Sequence, residues 1–205
     1  MTELVLLRHG ETVGQSAIRL YGATDIALSP IGAQQVARAA AVLGAQRFDR
    51  LLTSPLQRAR RSAEIVREAL RPPLPPLELV PDFREIDFGA WEGWTYAEAE
   101  ARDPDNFHRW HHEGAAFTYP AGESRADFHA RVGAAARALE PGSLVVIHKG
   151  VIKAVLAALT GRPLAEVSAL PVPLASIHRL RRVDARWELV GAAETAHLGD
   201  LDLGG

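Results

Sequence analysis

The sequence LVLLRHG, at residues 4–10, places four apolar residues before arginine, histidine and glycine. A short apolar run that breaks at a glycine is typical of a buried β-strand that ends in a loop. Residues 143–150, SLVVIHKG, follow the same pattern farther along the chain. The sequence therefore predicts two buried strands that each lead into a histidine, His9 after the first and His148 after the second.

Strands and helices alternate through the rest of the chain. Ser29-Pro30 and Ser54-Pro55 each combine an N-cap residue with a proline suited to a first helical turn, so we predict a helix at both places, the second reaching Leu70. The other predicted elements are strands at 48–53 and 77–80, helices at 124–139 and 150–159, and a closing hairpin at 176–183 and 187–190. This alternation predicts an α/β fold, a three-layer sandwich with a mostly parallel central sheet flanked by helices.

Length and composition favour one globular domain. The chain has 205 residues, of which 47% are hydrophobic and 23% charged, and that balance suits a single core. We assign residues 1–191 to this domain and interpret the aromatic, irregular segment 82–123 as a lid-like insertion. The glycine- and acid-rich residues 192–205 are predicted to form a flexible tail.

Charge and residue usage argue against several classes of protein. The formal net charge of -2 is unlike that of nucleic-acid-binding proteins, which rely on clustered cations. The lack of cysteine removes disulfides, thiolate nucleophiles and thiolate metal sites. No apolar run reaches the ~20 residues that cross a bilayer, and no secretory signal is visible. We therefore expect a cytoplasmic protein with no nucleic-acid partner and no membrane partner.

The two histidines indicate a shared crevice. Ligands of open α/β sheets bind beyond the carboxyl ends of the strands, so His9 and His148 face one crevice if their strands are parallel neighbours. Arg8 follows the first strand, and Arg58 lies in the helix after another predicted strand. Guanidinium pairs bind phosphoryl groups bidentately, and their charge keeps a nearby imidazole neutral and nucleophilic. These residue types predict phosphoryl chemistry at a histidine.

Five motifs, in order across residues 4–160, resemble those of the histidine phosphatase superfamily, also called the phosphoglycerate mutase-like family. They are Arg8-His9-Gly10-Glu11-Thr12, Thr53-Ser54-Pro55-Leu56-Gln57-Arg58-Ala59, Arg84-Glu85-Ile86-Asp87-Phe88-Gly89 with Trp91-Glu92-Gly93, Gly122-Glu123-Ser124, and Val146-Ile147-His148. The resemblance implies the phosphoglycerate mutase-like fold and a metal-independent phosphomonoesterase of the phosphatase branch. Its substrate is expected to be a small phosphorylated metabolite, and no cofactor or metal is expected.

The resemblance also implies residue roles. His9 is the expected nucleophile, and Arg8, Arg58 and His148 are expected to bind the phosphoryl group. Glu85 is the expected general acid for the leaving oxygen and afterwards the base for water, a role that suits a carboxyl whose pKa is raised beside a phosphate dianion. Asp87 and Glu92 lie near enough in the sequence to compete for this role.

Two further candidates for substrate binding depart from the family pattern. Gln15 stands where the family often has asparagine, and its longer arm changes the reach of the amide. Lys149 follows the pocket histidine where glycine is common. Its ammonium group either adds a cation to the pocket or points to solvent, and the first case favours a substrate that carries a second anionic group.

Two other functions stay open at this stage. A phosphoglycerate mutase has to exclude water while it holds the phosphohistidine, and mutases of this type are commonly longer than this chain. A non-catalytic protein of the same fold would bind phosphorylated ligands without turnover. A homodimer is also open, because the sequence does not define the oligomeric state.

Overall fold

The computed structural model describes residues 3–202. It contains one six-stranded sheet in the order β3-β2-β4-β1-β5-β6. The strands are β1 (Leu4–Arg8), β2 (Arg50–Thr53), β3 (Leu77–Leu79), β4 (Ser143–Ile147), β5 (Ile177–Val183) and β6 (Arg186–Glu194). The helices are α1 (Pro30–Leu43), α2 (Gln57–Ala69), α3 (Tyr96–Arg102), α4 (Pro104–His112), α5 (Arg125–Ala136), α6 (Lys149–Thr160) and α7 (Leu164–Ser168).

The central strands run in one direction. Strand β4 pairs in parallel with β1 on one side and with β2 on the other, and β2 pairs in parallel with β3. The closing hairpin adds β5 antiparallel to β1, and β6 antiparallel to β5. The predicted α/β fold with a mostly parallel sheet is therefore confirmed, and β1 and β4 are neighbours.

Both faces of the sheet are covered, which explains why β1 and β4 are apolar throughout. Leu4 and Leu6 of β1 face a core that includes buried residues of α5 and α6. Val5 and Leu7 face the opposite core, which includes buried residues of α1 and α2. Because successive side chains of a strand point to opposite faces, a strand between two helical layers needs apolar residues at every position.

One of the two predicted helix starts was wrong. Ser29 does cap α1, since its hydroxyl accepts a hydrogen bond from the Gly32 amide. Helix α2 instead begins at Gln57, and the Ser54 hydroxyl accepts from the Leu56 amide in the preceding turn. The first amide of α2 donates to a carboxylate oxygen of Asp25, 2.7 Å away. The hydrogen-bond acceptor at the start of α2 is therefore Asp25, from a distant loop, and not the predicted Ser54.

The segment 82–123 contains more regular structure than predicted. It contributes α3, which begins with a capping box formed by Thr95 and Glu98, and α4. Both helices are shorter than ten residues and lack the long apolar repeat that reveals a helix in sequence. Trp91 and Phe117 are fully buried and pack against each other, with ring centroids 5.9 Å apart. Part of the aromatic content of this segment therefore belongs to the core.

Residues 192–202 differ from the predicted flexible tail. Residues 192–194 belong to β6, and Leu198 is fully buried in the core that faces α1. The Gln35 amide donates to the Leu201 carbonyl, and Arg38 pairs with Asp200 at 2.8 Å. Composition suggested fraying, but one well-placed leucine docks this stretch. The remaining tail residues, 203–205, lie outside the described residues.

We expect Leu198→Ala to lower the free energy of unfolding by about 2–4 kcal/mol, because it opens a cavity in a packed core. Denaturant melts of the variant and the parent chain measure this difference. Leu74→Ala is the matched control, since Leu74 is 40% exposed and its truncation should change stability by less than about 0.5 kcal/mol. Equal stability of the Leu198 variant and the parent would show that this stretch does not dock in solution.

Within residues 3–202, none of the helices combines the length and the apolar character that crossing a lipid bilayer requires.

Candidate active site

The two predicted histidines meet at one edge of the sheet. Arg8 is the last residue of β1 and His9 follows it, while His148 follows the last residue of β4. The His9 amide donates to the Ile147 carbonyl at 2.9 Å, so the chains are still paired where the strands end. The imidazole ring centroids of His9 and His148 lie 5.1 Å apart, with 63° between the ring planes.

The imidazole of His9 is buried and uncharged. Its Nδ1 lies 2.7 Å from the Gly10 carbonyl oxygen. Because a carbonyl only accepts, Nδ1 carries the proton and Nε2 is left with the lone pair. Burial lowers the pKa of His9 well below its ordinary value of 6.5, and the charges of Arg58 and Arg8 lower it further. The ring is therefore uncharged at neutral pH, as attack on phosphorus requires.

His148 has unused hydrogen-bonding capacity. It is fully buried, and neither of its ring nitrogens has a hydrogen-bond partner among residues 3–202. Burial and the charge of Arg58 also lower the pKa of His148 well below 6.5. A buried polar group without a partner is costly and usually marks a place that a ligand completes. A phosphoryl oxygen bound beside His9 would accept a hydrogen bond from the protonated ring nitrogen of His148.

Arg58 is fully buried and is held by a loop. Its Nη2 donates to the Tyr21 and Gly22 carbonyls at 3.1 and 2.8 Å, and its Nη1 donates to the Thr24 carbonyl at 2.8 Å. The loop itself is held by Glu92, whose carboxylate accepts from the amides of residues 22, 23 and 24 and of Phe88. Arg58 is thereby fixed in the site, near enough for its charge to act on His9, His148 and Glu85.

Glu92 holds this loop and, unlike Glu85, is not among the residues that line the cleft around His9. All of its named contacts are backbone amides, and Asp87 likewise accepts from the Gly89 amide. The sequence placed both near Glu85, but it could not show that they organise loops. Glu11 does similar work, accepting from the Thr12 and Ala17 amides.

Glu85 is a buried carboxyl group that lies near enough to Arg58 and Arg8 for their charges to act on it. It is 7% exposed, and it accepts hydrogen bonds from the Ile86 amide at 3.0 Å and from the Gly150 amide at 2.9 Å. Burial raises its pKa above the ordinary 4.5, although the two amides and the charges of Arg58 and Arg8 act in the opposite direction. A carboxyl with a raised pKa holds its proton closer to neutral pH, which suits a general acid.

Arg131 supports Glu85 and had no signal in the sequence. Its guanidinium donates to the carbonyls of Asp82, Arg84 and Glu85, and it pairs with Glu123 at 2.7 Å. The pair connects α5 to the segment that carries Glu85. Sequence motifs cannot reveal it, because its partners lie between 8 and 49 residues away.

A cleft of about 1000 Å³ opens at this edge of the sheet, large enough for a small metabolite. Its lining includes, among others, Arg8, His9, Glu85, Tyr96, Trp110, Tyr119, Lys149 and Lys153. The structure thus brings Lys149 to the cleft rather than to open solvent. Gln15, Arg58 and His148 are not among the lining residues. Arg58 and His148 are fully buried, and the charge of Arg58 and the ring of His148 lie close to His9. Gln15, in contrast, is exposed and has a backbone φ of +64° at a turn in its loop. The structure therefore does not bring Gln15 to the other predicted residues.

Known proteins are similar to this chain in sequence and in fold along most of its length. The family model of the histidine phosphatase superfamily (branch 1) matches residues 4–195. A glucosyl-3-phosphoglycerate phosphatase of Mycobacterium tuberculosis is 34% identical over 188 residues, covering 82% of this chain and 79% of the relative. The crystal structure of the α-ribazole phosphatase from Shigella flexneri superposes with a TM-score of 0.83 at 25% identity, covering 95% of this chain and 97% of that one.

Other relatives are longer than the matched region. A bifunctional protein of M. tuberculosis is 40% identical over 134 residues, which is 64% of this chain but only 35% of the relative. The similarity to that protein therefore concerns about a third of its length. The named relatives that match most of this chain are phosphatases. The match across residues 4–195, together with the fold, shows that the chain belongs to the histidine phosphatase superfamily.

Proposed function

We propose that this chain is a phosphomonoesterase that hydrolyses a small phosphorylated metabolite through a phosphohistidine on His9. The observation that carries the proposal is the state of that ring: its Nδ1 is engaged by the Gly10 carbonyl, and burial and two arginines keep it uncharged. The unpartnered nitrogens of His148 lie beside it. These contacts support a site that is complete when a phosphoryl group enters.

In the first step, Nε2 of His9 attacks phosphorus. A nitrogen–phosphorus bond forms as the ester oxygen–phosphorus bond breaks, and Glu85 transfers its proton to the leaving oxygen. Arg8, Arg58 and His148 stabilise the charge on the other phosphoryl oxygens. The organic product leaves as a neutral alcohol, because the buried carboxyl has supplied the proton.

In the second step, the Glu85 carboxylate takes a proton from water, and the water oxygen attacks phosphorus. The nitrogen–phosphorus bond breaks, inorganic phosphate leaves, and Glu85 is again protonated. Glu85 therefore acts as the acid in the first step and as the base in the second, and it ends the cycle in the protonation state in which it began.

A panel of phosphorylated metabolites, assayed for phosphate release, tests the proposal. We expect release without a bisphosphate activator, inhibition by vanadate, which mimics the five-coordinate transition state, and activity that persists with a chelator. Rapid quenching followed by peptide mass analysis should find phosphate on the peptide that contains His9. A purified protein that is inert across the panel, or turnover that never labels this peptide, would overturn the proposal.

A further inference from the structure

The two lysines of the chain lie together in the cleft. Among 23 basic residues, only Lys149 and Lys153 are lysine, and both line the cleft beside the candidate active site. They lie four residues apart in the first turns of α6, so their side chains share one face of that helix. The arrangement places two flexible lysine side chains in the cleft that Arg8 and His9 also line.

These lysines differ from the arginines in their partners. The ion pairs within residues 3–202 all use arginine as the cation, and neither lysine takes part in one. Lys153 donates to the Ser168 carbonyl at 2.6 Å, which leaves its charge without a counter-ion. Both lysines are half-buried. Two neighbouring half-buried cations are unfavourable unless an anion binds between them.

The surroundings of Lys149 and Lys153 lower the pKa of both ammonium groups. Burial lowers the pKa of Lys149 to about 8, and the charges of Arg8 and Lys153 contribute. Burial and Arg8 also lower the pKa of Lys153. The charge of Glu85 partly offsets this lowering for both lysines. The Glu85 oxygens, however, already accept hydrogen bonds from the Gly150 and Ile86 amides. In the proposed function, Arg8, Arg58 and His148 bind the phosphoryl group. The two lysines are therefore available to bind a second anionic group.

We propose that Lys149 and Lys153 bind a second acidic group of the substrate, so that the chain acts on phosphomonoesters that also carry a carboxylate or another phosphate. The inference rests on the proposed function for the position of the ester phosphate. The aromatic residues Tyr96, Trp110 and Tyr119 also line the cleft and offer a surface for the organic part between the two anions.

Binding of matched analogues tests this without requiring turnover. We would measure the Kd of 4-carboxybenzylphosphonate and of its carboxamide, which has nearly the same shape but no second charge. The parent chain should bind the carboxylate about tenfold more tightly, and Lys149→Gln/Lys153→Gln should reduce this ratio to about one. The arginine double variant, which keeps both charges, should retain most of the preference. Arg162→Gln is the control, because Arg162 is an exposed cation, paired with Glu166 at 3.4 Å, outside the cleft.

The rarity of lysine permits an independent chemical test. Acetylation of amines removes charge only from Lys149, Lys153 and the α-amino group, whereas reductive dimethylation modifies the same amines and keeps their charge. Acetylated protein should lose the preference for the carboxylate, and dimethylated protein should keep it. The acetylated double glutamine variant controls for the α-amino group.

Turnover of phenyl phosphates separates this inference from the proposed function. The parent chain should hydrolyse 4-carboxyphenyl phosphate and 1,4-phenylene bisphosphate with a higher kcat/KM than the carboxamide ester, and the relative rates of the first two show which anion is preferred. A Kd ratio near one in the parent chain, or a ratio that the double glutamine variant leaves intact, would overturn the inference. If all three esters are inert while the Kd ratio holds, the proposed hydrolysis fails and the second anion site stands.

Discussion

His9→Ala should reduce kcat for phosphomonoesters by roughly 10⁴-fold or more, because it removes the imidazole whose Nε2 is left free for attack by the contact of Nδ1 with the Gly10 carbonyl. The neighbouring groups are poorer substitutes: Arg8 and Arg58 are cations, and Glu85 is held by the Ile86 and Gly150 amides. His148 is also an uncharged imidazole, but no carbonyl fixes its tautomer as Gly10 fixes that of His9. Phosphate release under saturating substrate measures the loss, and mass analysis should find no phosphorylated peptide from the variant.

The fold should survive this change, and stability measurements provide the control. In the native state the pKa of His9 lies well below 6.5, so the unfolded chain binds more protons as the pH falls through 6.5. The stability associated with the neutral ring is present above that pH and is lost on acidification. The free energy of unfolding should therefore fall more steeply for the parent than for His9→Ala between pH 6.5 and 5. A variant that retains more than a tenth of parental turnover would contradict the assigned nucleophile.

Glu85→Gln should separate substrates by their leaving group. An alkyl alcohol leaves poorly without a proton, so kcat for alkyl phosphates should fall by about 10²–10⁴-fold. A nitrophenol leaves as the anion, so phosphorylation of His9 should stay fast, while release of phosphate slows because no base activates water. Stopped-flow absorbance should then show a burst of about one nitrophenolate per active site, with phosphohistidine accumulating.

The pH dependence of the parent chain provides a second readout of the same group. Because burial raises the pKa of Glu85 above 4.5, its acid form persists to higher pH, and turnover of alkyl phosphates should decline as the pH rises through that raised value. Nitrophenol release in a single turnover should not show this decline. Equal slowing of both substrate types in Glu85→Gln, without a burst, would assign the residue a structural role instead.

The centre of the fold and the centre of the site were both predictable, for one reason. Strands β1 and β4 are buried on both faces, so their sequences are apolar throughout and easily recognised. His9 and His148 directly follow these strands, so the ends of the strands fix where the two histidines lie. Parallel pairing of these two strands then brings the rings to 5.1 Å.

The features that the sequence could not predict depend on contacts over long distances in the chain. The start of α2 depends on Asp25, the orientation of Arg58 depends on carbonyls of residues 21–24, and Arg131 reaches back to residue 82. Residues 192–202 were predicted to be flexible from their glycine and acid content. Composition does not show that one residue, Leu198, is buried in the core and holds this stretch in place. Gln15 was predicted from a resemblance, and a turn in its own loop leaves it exposed.

The first turn of α6 separates two tasks between backbone and side chains. The Gly150 amide positions the proposed proton donor, and a Cβ at this residue would lie 2.4 Å from a Glu85 oxygen, so any other residue there would displace the Glu85 carboxyl group. The neighbouring side chains at 149 and 153 leave that contact untouched. An engineer could therefore exchange these two residues to redirect the enzyme toward neutral or differently charged esters, while the peptide group that holds the acid stays where it is.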